Sequence, residues 1–467
     1  MITLDPRQES GRPLYWQIYA QIRRDITSGA LPARDKLPSK RGLAASLGVS
    51  VTTVDAAYAQ LACEGFIESR PKRGFYVCAL GALKARPPKV EKVQAAAVSA
   101  PPLQVDFSAW AVDPLAFPYN TWRKLLKNAF NEYDDQLLHR TPPQGDPALR
   151  SAISEYLYKA RGVHCTKDQV VIGAGTNHLL LVLGFILGNS FSVALENPVY
   201  SQAYQIFSRM GHPVLHVDID AAGIQVAPLQ GREHTAVYVT PSHQFPLGIS
   251  MPISRRIQLL HWAESGQARY IIEDDYDSEF RYTTRPLPSL QSIDSRDRVI
   301  YLGTFTKSIA PSLRISFLVL PPNLLDRYQE AYGMFGSPVS RLEQRVLYAF
   351  LEEGYFERHV NKMRVVYRNK RSFLEKSLRA AFGDRLVIQG ENAGHHLLVA
   401  PHNGMDEPML CAAAKNQGVG VYPISPYFIG KMPPCYQGNV LLGYGGLSEE
   451  QIQQGVGLLQ KAWDTRG

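Results

Sequence analysis

The sequence predicts an α/β fold in which a mainly parallel sheet follows a small, mostly helical N-terminal domain. Three observations predict it. From residue 106 onward, strand-like apolar runs alternate with helical patterns, as expected for strands joined by helical crossovers. Residues 13–63 carry three helical periods in succession and no strand pattern. Between the two parts runs a stretch rich in Ala, Pro, Lys and Val that lacks any apolar period. A chain of 467 residues is long enough for two domains with separate cores. They are placed at 1–79 and 106–467, with a linker at 80–105.

The first helix is expected from Pro13 to Ser28. Pro13 suits a first turn, Leu14, Ile18, Ile22 and Ile26 share one face, and Gly29 stops the helix. Ser39 can cap a short second helix carrying Leu43, Ala44 and Leu47. Gly48 makes the turn, and Ser50 caps a third helix with Val54, Ala57, Tyr58 and Leu61 inward. Helix, glycine turn, helix is the helix-turn-helix arrangement, whose second member enters the DNA major groove. Phe66–Ser69 and Phe75–Val77 read as short strands bracketing Arg70-Pro-Lys72-Arg73-Gly74, a basic hairpin tip or wing.

Charge agrees with this division. The net charge is +8, with a surplus of four Lys/Arg in residues 1–80 and three in 81–105, which leaves one for the rest. Such a basic N-terminal quarter suits a polyanion. In the linker, Pro87-Pro88 and Pro101-Pro102 interrupt any helix, so a semi-flexible connection is expected.

In the body, strands are expected at Val170–Ile172, Phe191–Leu195, Ala236–Val239, Tyr270–Ile272, Val299–Leu302 and Ile315–Leu320. The polar motifs lie just after these strands, where such sheets bind ligands. Gly173-Ala-Gly175-Thr176-Asn177 is a small-residue turn into a helix, which offers N–H groups to a phosphate. Asp274 ends the Tyr270 strand, with Tyr276 two residues on and Lys307 33 residues on. Thr304 and Thr306 flank that lysine, and Arg314 follows it by seven. A lysine for a Schiff base, an acid for a pyridinium nitrogen and an arginine for a phosphate are what pyridoxal phosphate requires. Tyr276 and His243 are placed at the ring's 3-hydroxyl oxygen, and Tyr200 is placed in a stack on the ring face. Thr176, Thr304, Thr306 and Arg314 are assigned to the phosphate.

Two resemblances sharpen these expectations. Leu-Pro-Ser-Lys-Arg, Leu-Ala-x-x-Leu-Gly-Val-Ser, Ala-Tyr-x-x-Leu-x-x-Glu-Gly-Phe-Ile and Arg-Gly-Phe-Tyr-Val resemble the GntR-type winged helix-turn-helix over residues 12–78. The resemblance implies DNA contacts by Lys40, Arg41, Ser50, Thr52, Thr53, Arg70, Lys72 and Arg73. Arg34 and Lys36 are expected on phosphates, which position without reading sequence. Many relatives have arginine after the capping serine, where this chain has Val51. Thr-Pro-Ser-His-Gln-Phe-Pro-x-Gly, Ile-Ile-Glu-Asp-Asp-Tyr-Asp-Ser-Glu-Phe and Gly-Thr-Phe-Thr-Lys-Ser resemble fold-type I aminotransferases. The two parts together resemble the MocR/GabR branch of GntR regulators. That branch implies a cytoplasmic, pyridoxal phosphate-dependent transcription regulator acting as a head-to-tail homodimer, with PLP itself, an amine or an amino acid as effector. The alternative is a working aminotransferase whose DNA-binding head serves autoregulation.

Aminotransferases of this fold clamp a substrate carboxylate with a C-terminal arginine, yet no arginine occurs between Arg385 and Arg466. Gln202 and Pro426 occupy the places where amino-acid-sensing members carry arginines. His395, His396, Lys415 and Lys431 are the substitutes that remain. Other classes fall away. The longest apolar stretch, Leu179–Leu187, is too short to span a bilayer, and Met1–Arg7 shows no signal-peptide pattern. The five cysteines, Cys63, Cys78, Cys165, Cys411 and Cys435, lack CxxC spacing and suit neither a disulfide frame nor a metal site.

Overall fold

In the computed structural model, which describes residues 13–80, 103–131, 135–282, 287–390 and 393–464, the two expected serines cap two helices. Ser39 Oγ accepts from Gly42 N at 3.0 Å and Ser50 Oγ from Thr53 N at 3.1 Å, each satisfying an otherwise orphaned first-turn donor. These caps start α2 (Lys40–Leu47) and α3 (Val51–Cys63), and α1 (Leu14–Ser28) precedes them with Pro13 at its N-cap. Gly29 and Gly48 end α1 and α2 in the left-handed region, at φ 80° and 66°, which costs glycine little. Ile18, Ile22, Val54, Ala57, Tyr58 and Leu61 are all 0 % exposed and form the core of this unit.

The hairpin is β1 (Ile67–Arg70) and β2 (Gly74–Val77), with Ile67 opposite Val77 and Arg70 opposite Gly74. Both strands lie one residue off expectation. Phe66 N is spent closing α3 on Leu61 O at 2.9 Å, while Gly74, at φ 104°, completes a ladder that a three-residue tip can close. Leu61→Ala is expected to destabilise this unit by about 2–5 kcal/mol, seen as an early separate transition when urea unfolding is followed by far-UV circular dichroism.

The chain divides into two compact units, Met1–Val98 and Ser99–Gly467. Residues 81–102, most of the expected linker, lie outside the described residues. The second unit is built on eight strands: β4 (Val170–Gly173), β5 (Ser192–Asn197), β6 (Val214–Asp220), β7 (Gly223–Ile224), β8 (Thr235–Val239), β9 (Arg269–Asp275), β10 (Val299–Thr304) and β11 (Ser316–Val319). They follow β3 (Val105–Asp106) and are arranged β4-β11-β10-β9-β8-β5-β6-β7. The run from β10 through β6 is parallel, β11 is antiparallel to both neighbours, and β7 folds back on β6. Strands β6 and β7 were not anticipated. In β6 only Val217 is fully buried, and His216, Asp218 and Asp220 interrupt the apolar run that marks the central strands.

A second sheet comprises β12 (Leu386–Gln389), β13 (His396–Pro401), β15 (Tyr422–Pro423) and β16 (Val440–Gly443), while β14 (Val419–Gly420) pairs with β3. Among the helices of this unit, Thr176–Leu187 matters most. It follows β4 and buries Leu179, Leu180, Val182, Leu183, Ile186 and Leu187 against the large sheet. The carboxyl ends of β4, β5, β8, β9 and β10 converge on its N-terminus. No helix among the described residues is long and apolar enough to cross a membrane.

Candidate functional site

Loops leaving those strand ends border a partly open cleft. Trp110, Thr176, Asn177, Tyr200, Tyr238, Thr240, Phe245, Asp274, Tyr276, Thr304, Thr306, Lys307 and Arg314 line it. One end suits a phosphate. Gly175 is the N-cap of the Thr176–Leu187 helix, so first-turn N–H groups of Thr176 and Asn177 open there. Arg314, itself left-handed at φ 50°, lays its guanidinium over Gly175 so closely that a Cβ there would sit 2.5 Å from Nη2. Thr304 is a brace within this end. Its Oγ1 accepts from Ser316 Oγ at 2.7 Å and donates to Thr306 Oγ1 at 2.9 Å.

At the centre, Lys307 Nζ donates to Ala109 O at 2.7 Å and lies 4.6 Å from the centroid of the Trp110 ring. Burial lowers the amine to about 8, partly opposed by the negative charge of Asp277. Asp274 is buried on the floor. Its Oδ2 accepts from the Tyr238 hydroxyl, and its Oδ1 has no partner. Burial pushes its carboxyl up to about 7, with the Tyr238 hydrogen bond opposing and the charges of Asp275 and Asp277 adding. An unpartnered buried acceptor of this kind is costly, and it marks where a cationic donor belongs.

A pH dependence follows. Asp274 binds its proton more tightly folded than unfolded, so its contribution favours folding below about pH 4 and is lost as pH rises through about 7. Asp274→Asn is therefore expected to raise the Tm of the cofactor-free protein by a few degrees at pH 8 and to leave it unchanged near pH 4. A thermal melt at both pH values checks the sign.

Aromatic rings form the remaining wall. The Tyr200 hydroxyl donates to Asn177 Oδ1 at 3.0 Å, and Trp110 lies 5.9 Å from the Tyr200 ring and 5.4 Å from Phe245. Tyr276 OH lies 3.0 Å from His243 Nδ1, which is also 2.9 Å from Asp277 Oδ2. His243 is thus buried behind Tyr276 and off the cleft wall. Its reach ends at the tyrosine, because Asp277 holds the imidazole back. Gly175 likewise contributes room and backbone, not lining.

Of the suggested carboxylate partners, His395 and His396 are buried, His395 between the rings of Phe280 and Tyr367 at 4.5 and 4.4 Å. Lys415 and Lys431 are exposed. None of the four lines the cleft. The sequence reading missed Trp110, Tyr238, Thr240 and Phe245. Tyr238 gave a signal as a polar residue inside a buried strand, and Thr240 and Phe245 sat inside a motif already singled out.

In the first unit, Arg34, Lys36, Arg41, Ser50, Thr52, Arg70, Lys72 and Arg73 are exposed, and Lys40 and Thr53 are half-buried. Two of the cations are engaged within the unit. Lys40 pairs with Asp55 and lies 5.0 Å over the Phe75 ring. Arg70 pairs with Glu68 at 2.6 Å and lies 4.5 Å over Tyr76. Thr53 is tied into the α3 cap, its Oγ1 2.7 Å from Ser50 Oγ.

Comparisons with known proteins agree for both units. Residues 14–77 match the family of bacterial regulatory proteins of the gntR type, and residues 114–457 match aminotransferase class I and II. The chain is 40% identical to the uncharacterised HTH-type transcriptional regulator YdeL of Bacillus subtilis, over 97% of each chain. It is 33% identical to the probable rhizopine catabolism regulatory protein MocR of Rhizobium meliloti, over 99% of this chain and 96% of that one. Among solved structures, the multiple substrate aminotransferase of Thermococcus profundus superposes with a TM-score of 0.70 at 25% identity. That match covers 78% of this chain and 92% of the aminotransferase. The chain therefore belongs to the MocR/GabR branch of GntR-type transcriptional regulators, in which a helix-turn-helix head precedes an aminotransferase-like domain.

Proposed function

We propose that this regulator binds operator DNA through its head and senses pyridoxal phosphate, or an amino compound meeting it, in the cleft around Lys307. The observation that carries the reading is the convergence of a buried amine, a buried carboxylate with one unpartnered oxygen and an arginine-capped helix N-terminus on one cleft. These residues fit the cofactor. Pyridoxal phosphate, when bound, supplies an aldehyde for capture by an amine and a pyridine ring that withdraws electrons once protonated.

Lys307 supplies the amine, and desolvation leaves a useful fraction of it uncharged near neutral pH. Asp274 Oδ1 holds a proton on the ring nitrogen, a pairing that also restores its own carboxylate. Tyr276 hydrogen-bonds the ring's phenolic oxygen, with His243 and Asp277 fixing its hydroxyl. Tyr200 stacks on the ring, Asn177 holding the tyrosine in place. Thr176, Thr306 and Arg314 hold the phosphate, with Thr304 bracing Thr306.

On the head, Arg34, Lys36, Arg41, Lys72 and Arg73 neutralise phosphates, and the capped start of α3 meets base edges. The functional unit in this reading is a head-to-tail homodimer. Exposed Leu181, Phe185, Met334 and Phe335 on the second unit support self-association. Sensing is favoured over turnover because, among the described lining, Lys307 and Arg314 are the only cations and both are assigned to the cofactor.

The test is to incubate the full chain with pyridoxal phosphate, reduce it with borohydride and map the peptides by mass spectrometry. A phosphopyridoxyl group on Lys307 is expected. A protein that stays colourless and carries no adduct at that residue contradicts the reading.

A further inference from the structure

In the major groove, bases are told apart by a short list of chemistries. Arginine or lysine takes guanine, asparagine or glutamine takes adenine, a carboxylate takes the cytosine amino group, and apolar groups take the thymine methyl. The residues of α3, Val51-Thr-Thr-Val-Asp-Ala-Ala-Tyr-Ala-Gln-Leu-Ala-Cys63, include no arginine, lysine, asparagine or histidine. Its exposed face over the N-terminal two turns is Val51, Thr52, Asp55 and Ala56. Asp55 is held by Lys40. Gln60, the one amide on the helix, donates to Glu64 Oε1 at 2.6 Å. Thr53 closes the cap with Ser50.

Beside the Thr52 hydroxyl and the Lys40-paired Asp55 carboxylate, α3 therefore presents at its leading end the methyl groups of Val51, Thr52 and Ala56. Val51, at the first helical position, is 45% exposed, and nothing in the unit's own core uses it. The cations of the unit stand on α2, before it, and on the wing, so they flank this surface without replacing it. An exposed valine at that position is unfavourable in water and becomes favourable only against another apolar surface.

We infer that α3 reads thymine, with Val51 and the Thr52 methyl packing against the C5-methyl groups of bases in the major groove. This rests on the DNA-binding reading above and names what the head discriminates. Phosphate contacts from Arg34, Lys36, Arg41, Lys72 and Arg73 fix the register.

The experiment starts from a random duplex pool, from which the full-length protein selects its preferred sequence. Each thymine of the selected half-site is then replaced by deoxyuridine, which removes one methyl and keeps base pairing. At one or more positions the affinity is expected to fall about fourfold for each methyl group so removed from the interface. In the double variant Val51→Ala, Thr52→Ser the ratio of thymine to deoxyuridine affinity is expected to fall towards one at those positions. Equal binding of thymine and deoxyuridine duplexes at every position overturns the inference. So does a deoxyuridine penalty that the double variant leaves unchanged, since that penalty would belong to the DNA. If no duplex is enriched from the pool, the DNA-binding reading itself fails, and this inference with it.

Discussion

Lys307→Ala is expected to abolish both the absorbance band of the cofactor-loaded protein and the change in operator affinity that pyridoxal phosphate produces. Binding of the same duplex without cofactor should stay within about twofold of the wild-type value, because every phosphate contact proposed lies on the head. The reason for the large effect is chemical. Among the described residues that line the cleft, Lys307 is the only primary amine, and a Schiff base with the aldehyde requires a primary amine. Asp274, Arg314 and the aromatic wall remain in the variant, so weak non-covalent binding persists while the covalent signal goes. Lys307→Arg makes the control for charge, since it keeps a cation near Trp110 and Ala109 but offers no nucleophile. Burial also sets a pH signature. With the amine at about 8, the rate of cofactor capture by the wild type should climb as pH rises through 8 and level off above it. A band that survives Lys307→Ala, or a capture rate that first climbs near the ordinary lysine range above 10, contradicts this account.

Gly175→Ala is expected to weaken pyridoxal phosphate binding by about 10- to 150-fold, the effect of removing a charge-assisted hydrogen bond of about 1.5–3 kcal/mol. Two effects act together. At φ 87° and ψ 166° the backbone occupies a region that alanine rarely adopts. The added methyl would also meet the Arg314 guanidinium at 2.5 Å from Nη2 and 2.7 Å from Cζ. One of the two must move, and either movement opens the phosphate end. Because Lys307 is untouched, the absorbance band should still form at high cofactor concentration, so the titration midpoint shifts and its endpoint does not. Inorganic phosphate should compete less effectively in the variant. An unchanged midpoint would show that Arg314 and this helix start do not hold the phosphate.

Much of this was legible in the sequence, for identifiable reasons. The head read well because its signals are local: capping serines, glycine stops and four inward residues on α3 need no knowledge of the rest of the chain. The central strands read well because burial on both faces turns them into continuous apolar runs. Strand β6 did not, since beside the two-residue β7 at the sheet edge His216, Asp218 and Asp220 are left exposed. The cleft was legible wherever a residue ends its strand or follows it closely, as Asp274, Tyr276 and Lys307 do. It was illegible where the lining arrives from elsewhere. Trp110 lies just beyond the expected linker and is carried to Lys307 by pairings distant in sequence, β3 with β14 and Phe107 O with Gly443 N. His243 meets the Tyr276 hydroxyl from behind, and nothing local in its motif says that Asp277 holds the imidazole there. The pairing of Lys40 with Asp55 is likewise a contact between two helices, invisible until they are packed.

The most direct measurement of the central claim is an anisotropy titration of one selected duplex with wild-type protein, with and without saturating pyridoxal phosphate. The midpoint is predicted to shift by at least about fivefold, the lower end of ordinary coupling between two sites, and to revert when the cofactor is removed by dialysis against an amine. Superimposable curves from protein shown by absorbance to be loaded would mean that the cleft around Lys307 does not speak to the head.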